Sequence, residues 1–306
     1  MDLLESVRRW VLRNLPYPNG PDVIAALNDM GPRSLLVLYL NWCERLIPIE
    51  PRLVLRSSAF DKNPIVEQQG ETISQIIEDI ECGRDLTKYL SRRVTVGFDL
   101  LSKPHKKDLN RLQHLDLLLN DWGIYHLHIS MNVEADRFVA RGGPLLFAIF
   151  KPFRAYLIDL KSHNDFANDD LLRIVLTTWP NDGLLTELKG ILGPRQGRRP
   201  SQGEREMLRS AGLSTLFQSD DGRIFSTGTG ISTAGTTDKA SIMSGRILRT
   251  LKKFDESVKS NPTEIIEFIR QHAGNPPDAP EFEFSFFQNG YGVIETRSGT
   301  PIRLGA

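Results

Sequence analysis

Apolar residues recur at helical spacing through the first part of the chain. Leu3, Leu4, Val7, Trp10 and Val11 outline one amphipathic helix. Pro21 and Asp22 can open a second helix, and further helical patterns run from 32 to about 46 and over 65–81, with an extended passage at 52–56. The pattern therefore predicts a helical N-terminal region over residues 1–90.

The periodicity changes in the middle of the chain. A leucine stripe predicts a helix over 107–122, and Gly123 stops it. Apolar runs at 124–130, 144–150 and 154–160 then read as strands joined by turn residues, and a helix follows over 167–179. Residues 91–192 are thus predicted to form a central antiparallel β-meander flanked by helices.

A basic segment rich in glycine and proline, 193–203, marks a boundary. Beyond it, the pattern predicts a helix over 204–211, a short hairpin up to 226, and helices over 238–258 and 263–272. A final hairpin turns at Asn289-Gly290. The fold class is therefore α+β, with a C-terminal α+β region over 193–306.

Composition limits the classes of partner. The 38 basic and 38 acidic side chains cancel, so no global field attracts nucleic acid or anionic lipid, and a polyanion site has to be a local patch. No apolar stretch is long enough to span a bilayer, so no membrane contact is expected. Cys43 and Cys82 have neither disulfide-framework nor zinc-site spacing; as thiols buried in helices they fit a reducing cytoplasm.

Three of the six histidines fall on the predicted meander. His126 and His128 alternate along one strand, so their side chains point to the same face, and His163 ends a neighbouring strand. Imidazole is suited to proton transfer near neutral pH. In the cleavage of RNA without a metal, two such groups can divide the roles of general base and general acid. Nearby cations can stabilise the charged phosphorane that forms in this reaction.

Two other interpretations of the histidines stay open. His-x-His on a strand also suits a metal, and His163 with Asp165 or Asp116 could complete its ligand set. Alternatively, the three rings are ordinary polar residues with satisfied hydrogen bonds on a half-exposed sheet face.

The segment containing HLHIS, LLFAIF and AYLIDLKSH, preceded by a helix and Gly123, resembles the β-meander of the RelE/HigB/ParE toxin superfamily. The resemblance covers about residues 107–165. It implies a ribonuclease that acts without metal or cofactor, with RNA as substrate and an antitoxin or other protein as partner. Carried over by position, the catalytic residues would be His126, His128, Arg141, Lys161 and His163.

A second constellation is the Gly/Thr/Ser loop, residues 226–238, between a strand and a long helix. Hydroxyls of Ser232, Thr233 and Thr236 are candidate substrate-binding groups for a phosphate or a nucleic-acid backbone. The loop matches no nucleotide-binding motif cleanly, and a surface loop with Thr237 or Asp238 capping the helix explains it equally. Basic stretches at 92–107 and 195–199 could form a phosphate track or simply be solvated.

The leading hypothesis is a cytoplasmic, metal-independent endoribonuclease, toxin-like or defence-related. The alternatives are a metal-dependent hydrolase with a His-x-His site and a non-catalytic protein that binds protein or nucleic acid. The sequence does not specify an oligomeric state.

Overall fold

The computed structural model describes residues 2–100, 115–191, 199–228, 230–273 and 279–305. The fold is α+β, as predicted. The helices are α1 (Leu3–Asn14), α2 (Pro21–Asp29), α3 (Pro32–Cys43), α4 (Ser58–Lys62), α5 (Pro64–Gln68), α6 (Gly70–Glu81), α7 (Leu117–Trp122), α8 (Asp170–Thr178), α9 (Gln202–Ser210), α10 (Asp238–Ser260) and α11 (Pro262–Ala273). The strands are β1 (Leu53–Arg56), β2 (Tyr125–His128), β3 (Leu145–Phe150), β4 (Arg154–Lys161), β5 (Thr186–Glu187), β6 (Phe217–Gln218), β7 (Ile224–Ser226), β8 (Phe282–Phe287), β9 (Gly290–Glu295) and β10 (Pro301–Gly305).

The chain forms two compact units whose boundaries are not contiguous in sequence. One unit comprises residues 1–42, 96–99 and 239–306, and the other comprises 43–95 and 100–238. The predicted division at residues 90 and 192 follows different boundaries and stays a prediction. Among the described residues, the first unit contains one sheet and the second contains two.

The first unit combines α1 with the C-terminal sheet, whose strand order is β10-β9-β8. Phe282 and Phe284 alternate into its interior, as the sequence pattern predicts. The backbone N–H of Phe284 donates to Ser6 Oγ on α1 at 2.7 Å. Trp10, also on α1, meets the Phe284 ring edge-on at a centroid distance of 5.7 Å. The predicted hairpin is present, and β10 adds a strand that the sequence pattern did not indicate.

The second unit is organised by a four-stranded sheet of order β1-β4-β3-β2. The predicted antiparallel meander is β2-β3-β4, and β1, which the pattern showed only as an extended passage, joins its edge parallel to β4. One face packs on α6 through Ile73, Ile76 and Ile80, and the other packs on α8 through Leu171 and Val175. A smaller sheet of order β5-β7-β6 belongs to the same unit.

Several local expectations need correction. The single helix predicted over 65–81 is divided into α5 and α6, because Gln69 leaves helical geometry immediately before Gly70, a poor helix former. Cys82 is exposed and Cys43 only half-buried, so neither is a fully buried thiol. Of the predicted helix over 107–122, the described part is α7; the leucines at 109 and 112 lie outside the described residues.

Within the described residues, no single helix has both the length and the apolar character needed to cross a membrane. The pair α2 and α3 meets these criteria only in combination, across a bend of 119°.

Asp79 on α6 is a buried carboxylate that contacts four side-chain donors. It accepts from Gln75 Nε2 at 2.9 Å, Arg84 Nη1 at 2.9 Å and Tyr89 Oη at 2.8 Å, and it pairs with Lys88 Nζ at 2.8 Å. These donors outweigh the effect of burial and hold the pKa of Asp79 well below its usual range. The carboxylate therefore ties the end of α6 to the segment that follows it.

We expect Asp79→Ala to lower the free energy of unfolding by about 3 kcal/mol, because it removes one side of a buried charged network. The carboxylate's contribution is present above the unfolded-state pKa near 3.9 and is lost as the pH falls below it, because its folded-state pKa is depressed. Urea unfolding measures both effects. Glu78→Ala is the matched control: Glu78 is exposed and pairs with the same Arg84, so its loss should cost at most about 1 kcal/mol. Equal effects of the two substitutions would contradict this account.

Candidate functional site

The histidines on β2 share one face of the sheet, as predicted. Tyr125 and Leu127 pack into the core on the α6 side, so His126 and His128 point to the opposite face. Their ring centroids lie 6.1 Å apart. Alternation along the strand is thus sufficient to place both imidazoles on one wall.

His163 approaches the same wall from the end of β4. It begins a short 3₁₀ helix, His163–Asp165, in which the Ser162 and Asp165 side chains form a capping box. Its ring centroid lies 5.6 Å from that of His128. The Phe166 ring packs against both outer histidines, with centroids 4.8 Å from His126 and 5.8 Å from His163. The three imidazoles therefore form one histidine cluster.

The histidine cluster lines a cavity of about 610 Å³. Arg141, the cation predicted to stabilise developing charge, lines it too. The other lining residues that carry charge are Arg45, Arg93, Asp116, Glu206 and Arg209. Four of the five predicted catalytic residues thus meet in one concave site, which is the arrangement that a functional site requires.

Asp116 links the start of α7 to the histidine cluster. Its Oδ1 accepts from the N–H of Leu119 at 3.1 Å and so caps the helix, while Oδ2 lies 3.4 Å from Nδ1 of His126. Nδ1 of His126 is buried and has no hydrogen-bond partner among the described residues. His126 thus has a carboxylate beside its ring.

The imidazoles of His128 and His163 are held neutral. Burial, aided by His126, Arg141 and His163, lowers the pKa of His128 to about 4. Burial also lowers the pKa of His163, and His126 and Arg141 act in the same direction. At neutral pH, both rings are therefore available to accept a proton.

We expect the buried neutral ring of His128 to make stability depend on pH. His128 is 4% exposed. In the unfolded chain, it takes up a proton near pH 6.5, whereas in the folded chain it does so only near pH 4. The unfolded state binds more protons between these values, so stability falls as the pH drops from 6.5 to 4, by roughly 3 kcal/mol from this group at most.

Urea unfolding at several pH values, on the wild type and His128→Gln, checks this dependence. The substitution should flatten the change in unfolding free energy between pH 6.5 and 4. His272→Gln, which alters an exposed histidine of the first unit, is the control and should leave the slope unchanged. His163 contributes a part of the slope that should remain, so only a slope unchanged from the wild type in His128→Gln would contradict this assignment.

The arginines give the cavity an excess of positive charge. Burial lowers the pKa of Arg45 to about 10, which still leaves it charged at neutral pH. With Arg93, Arg141 and Arg209, it faces two lining carboxylates, those of Asp116 and Glu206. Beside neutral imidazoles, this charge balance favours an anionic ligand, and guanidinium groups suit phosphate oxygens.

The remaining predicted site residues lie outside the cavity lining. Lys161 Nζ lies 3.6 Å from Asp159 Oδ2. In the Gly/Thr/Ser loop, the Ser232 and Thr236 hydroxyls bond to each other at 2.9 Å, and Thr233 is exposed. The structure thus does not bring Lys161 or these three hydroxyl residues to the histidine cluster.

The described residues do not supply a set of metal ligands for the metal-dependent alternative. The Asp165 carboxylate is engaged in the capping box, accepting from the Ser162 N–H at 3.1 Å and from Asn168 Nδ2 at 3.2 Å. In the portion of the chain that the structure describes, no three His, Cys, Asp or Glu side chains are grouped to hold a metal ion.

The two basic stretches, 92–107 and 195–199, differ in whether their described residues line the cavity. Arg93 lines the cavity, while Arg92 pairs with Glu134 and Asp136. Arg199 pairs with Asp220 at 3.0 Å, and the other basic residues of both stretches, 103–107 and 195–198, lie outside the described residues.

Sequence reasoning missed Arg45, Glu206 and Arg209. They follow or belong to helices far apart along the chain, and no spacing pattern connects them with the histidines. The chain matches no protein-family model, no curated protein and no solved structure. The resemblance to the RelE/HigB/ParE superfamily therefore stays a prediction.

Proposed function

We propose that this protein is a metal-independent endoribonuclease whose active site is the histidine-lined cavity. The observation that supports it is the convergence of His126, His128 and His163 with Arg141 on a cavity with excess positive charge. Such a site can bind a phosphodiester and move protons around it. An enzyme that uses side chains alone benefits from a nucleophile in the substrate, which the 2′-hydroxyl of RNA supplies.

The proposed reaction is a transfer within the RNA backbone. His163, neutral because its pKa is lowered, takes the proton of the 2′-hydroxyl. The 2′-oxygen forms a bond to phosphorus, and the bond from phosphorus to the 5′-oxygen breaks. His126, with Asp116 beside Nδ1, gives its proton to the leaving 5′-oxygen. Arg141 stabilises the charged phosphorane, and the products are a 2′,3′-cyclic phosphate and a 5′-hydroxyl.

The assignment of roles follows from the surroundings of each ring. A general acid has to deliver a proton to the leaving oxygen, and we assign this role to His126 because the Asp116 carboxylate lies beside its Nδ1. His128, with a pKa of about 4, is unsuited to that role and lies between the other two as a neutral hydrogen-bonding group. We infer a cytoplasmic setting and a toxin-like or defence-related role with a protein inhibitor, on the resemblance described above.

The chemistry of the products tests the proposal. The wild-type protein, incubated with a labelled RNA in excess EDTA, should release fragments that end in 2′,3′-cyclic phosphate. The same oligonucleotide with 2′-deoxyribose throughout should stay intact, because the nucleophile is missing. Cleavage that needs added divalent metal would favour the metal-dependent hydrolase, and binding of RNA without cleavage would favour the interaction protein.

A further inference from the structure

One wall of the cavity differs in character from the rest. Glu206, Arg209 and Ser210 all line the cavity from α9, and their spacing of three and four residues places them on one helix face. We call these three residues the α9 wall. The other lining arginines, Arg45, Arg93 and Arg141, lie on different segments.

Arg209 is held rigidly but keeps one donor unused. Its Nε donates to Asp121 Oδ2 at 2.9 Å, its Nη1 donates to the Phe166 carbonyl at 2.7 Å, and the guanidinium lies 4.4 Å from the Trp122 ring centre. Nη2 is buried and has no hydrogen-bond partner among the described residues. A buried N–H without an acceptor is costly, and a bound ligand that supplies one removes that cost.

Glu206 adds a carboxylate to the cavity lining from the same face of α9 as Arg209. The residue is exposed at the cavity, and its Oε1 lies 3.4 Å from Gln202 Nε2. Within the described chain, Arg209 pairs with Asp121 and forms no ion pair with Glu206. The α9 wall therefore carries a carboxylate and a guanidinium that do not pair with each other.

The charges on each wall of the cavity indicate which part of a ligand that wall would bind. Arg45, Arg93 and Arg141 form the basic wall, which suits a phosphate. A carboxylate on the α9 wall would repel a second phosphate, so this wall suits a neutral group that both donates and accepts hydrogen bonds. In RNA, a nucleobase edge offers several such donors and acceptors side by side, whereas a ribose hydroxyl offers a single one.

We propose that the α9 wall is a base-recognition subsite for guanine; the inference rests on the ribonuclease function proposed above. Guanine O6 accepts from Arg209 Nη2, and its N1–H and N2–H donate to the two carboxylate oxygens of Glu206. Adenine has neither a carbonyl at position 6 nor an N1–H. Cytosine and uracil each offer only one donor group on this edge, so neither can place two adjacent N–H groups from ring and amine on Glu206.

Binding of mononucleotides tests the subsite without requiring cleavage. Titration calorimetry compares 3′-GMP with 3′-AMP, 3′-CMP and 3′-UMP, on the wild type and Glu206→Gln. The wild type should bind 3′-GMP roughly tenfold more tightly than 3′-AMP, and Glu206→Gln should reduce that ratio to near one. Glu256→Gln, an exposed glutamate of α10, is the matched control and should keep the preference.

Arg209 is tested with its buried partner, because Arg209→Gln alone would leave the Asp121 carboxylate without that arginine. The double variant Asp121→Asn/Arg209→Gln keeps a neutral side-chain pair and should also lose the preference for 3′-GMP. Equal affinity for the four nucleotides in the wild type, or a preference that persists in Glu206→Gln, would overturn the subsite. If the protein prefers 3′-GMP but cleaves no RNA, the subsite is supported and the ribonuclease function is refuted. If the protein cleaves RNA but binds the four nucleotides equally, the ribonuclease function is supported and the subsite is refuted.

Discussion

His126→Ala and His163→Ala should each lower the rate of RNA cleavage by at least about 100-fold, because each removes one proton-transfer group from the same reaction. His163 is exposed at the cavity and His126 lies at its wall, so the sheet beneath them should remain intact. Cleavage is measured under single-turnover conditions in EDTA. The unfolding midpoint of each variant is measured in parallel.

The control for this pair is His272→Ala, an exposed histidine of the first unit that does not line the cavity. It should cleave RNA at the wild-type rate. The two catalytic substitutions act on one reaction, so their double variant should lose little beyond the more damaging single variant. Wild-type rates in both single variants would contradict the assignment of these histidines as acid and base.

Arg141→Gln should lower kcat by roughly 100-fold with a smaller change in KM, because the guanidinium is proposed to act on charge that develops in the transition state. Burial and the neighbouring Arg92 lower the pKa of Arg141, yet an arginine keeps its charge at neutral pH. Steady-state kinetics on a short RNA separates the two constants.

Arg92→Gln is the matched control for Arg141. Arg92 is near enough to influence the pKa of Arg141, but it pairs with Glu134 and Asp136 and does not line the cavity. Its loss should change kcat by less than about threefold, in line with an exposed ion pair. A rise in KM with unchanged kcat in Arg141→Gln would show that Arg141 only binds the substrate.

Sequence patterns were sufficient for the elements that carry the histidines. Alternation over β2 put His126 and His128 on one face, and the turn residues between β3 and β4 brought His163 back beside them. These are local effects of strand geometry, which the order of residues determines directly. The same logic correctly predicted the C-terminal hairpin.

Such patterns could not predict the pairing of strands that are far apart in the sequence. The short segment β1 has no strong strand signal and becomes a strand because it pairs parallel to β4, about 100 residues later in the chain. The sequence did not indicate Arg45 and Arg209 as site residues for a similar reason. Arginine is common on surfaces, and its presence at a cavity depends on tertiary packing that no spacing records.

Electrostatic environment also could not be inferred from the sequence. Two histidines separated by one residue have the same composition around them, yet His126 lies beside Asp116 while His128 is buried between the other rings. The roles proposed for these two imidazoles depend on this difference. In the Gly/Thr/Ser loop, the sequence predicts hydroxyls that bind a phosphate; the structure adds that two of them, Ser232 and Thr236, are hydrogen-bonded to each other.

The central claim is that the histidine cluster cleaves RNA without metal. The most direct measurement is the cleavage rate of one RNA in excess EDTA by the wild type and by the double variant His126→Ala/His163→Ala, with circular dichroism confirming that both are folded. The account predicts cleavage by the wild type and a loss of at least about 100-fold in the double variant. Equal rates in the two proteins, or no cleavage by the wild type, would contradict it.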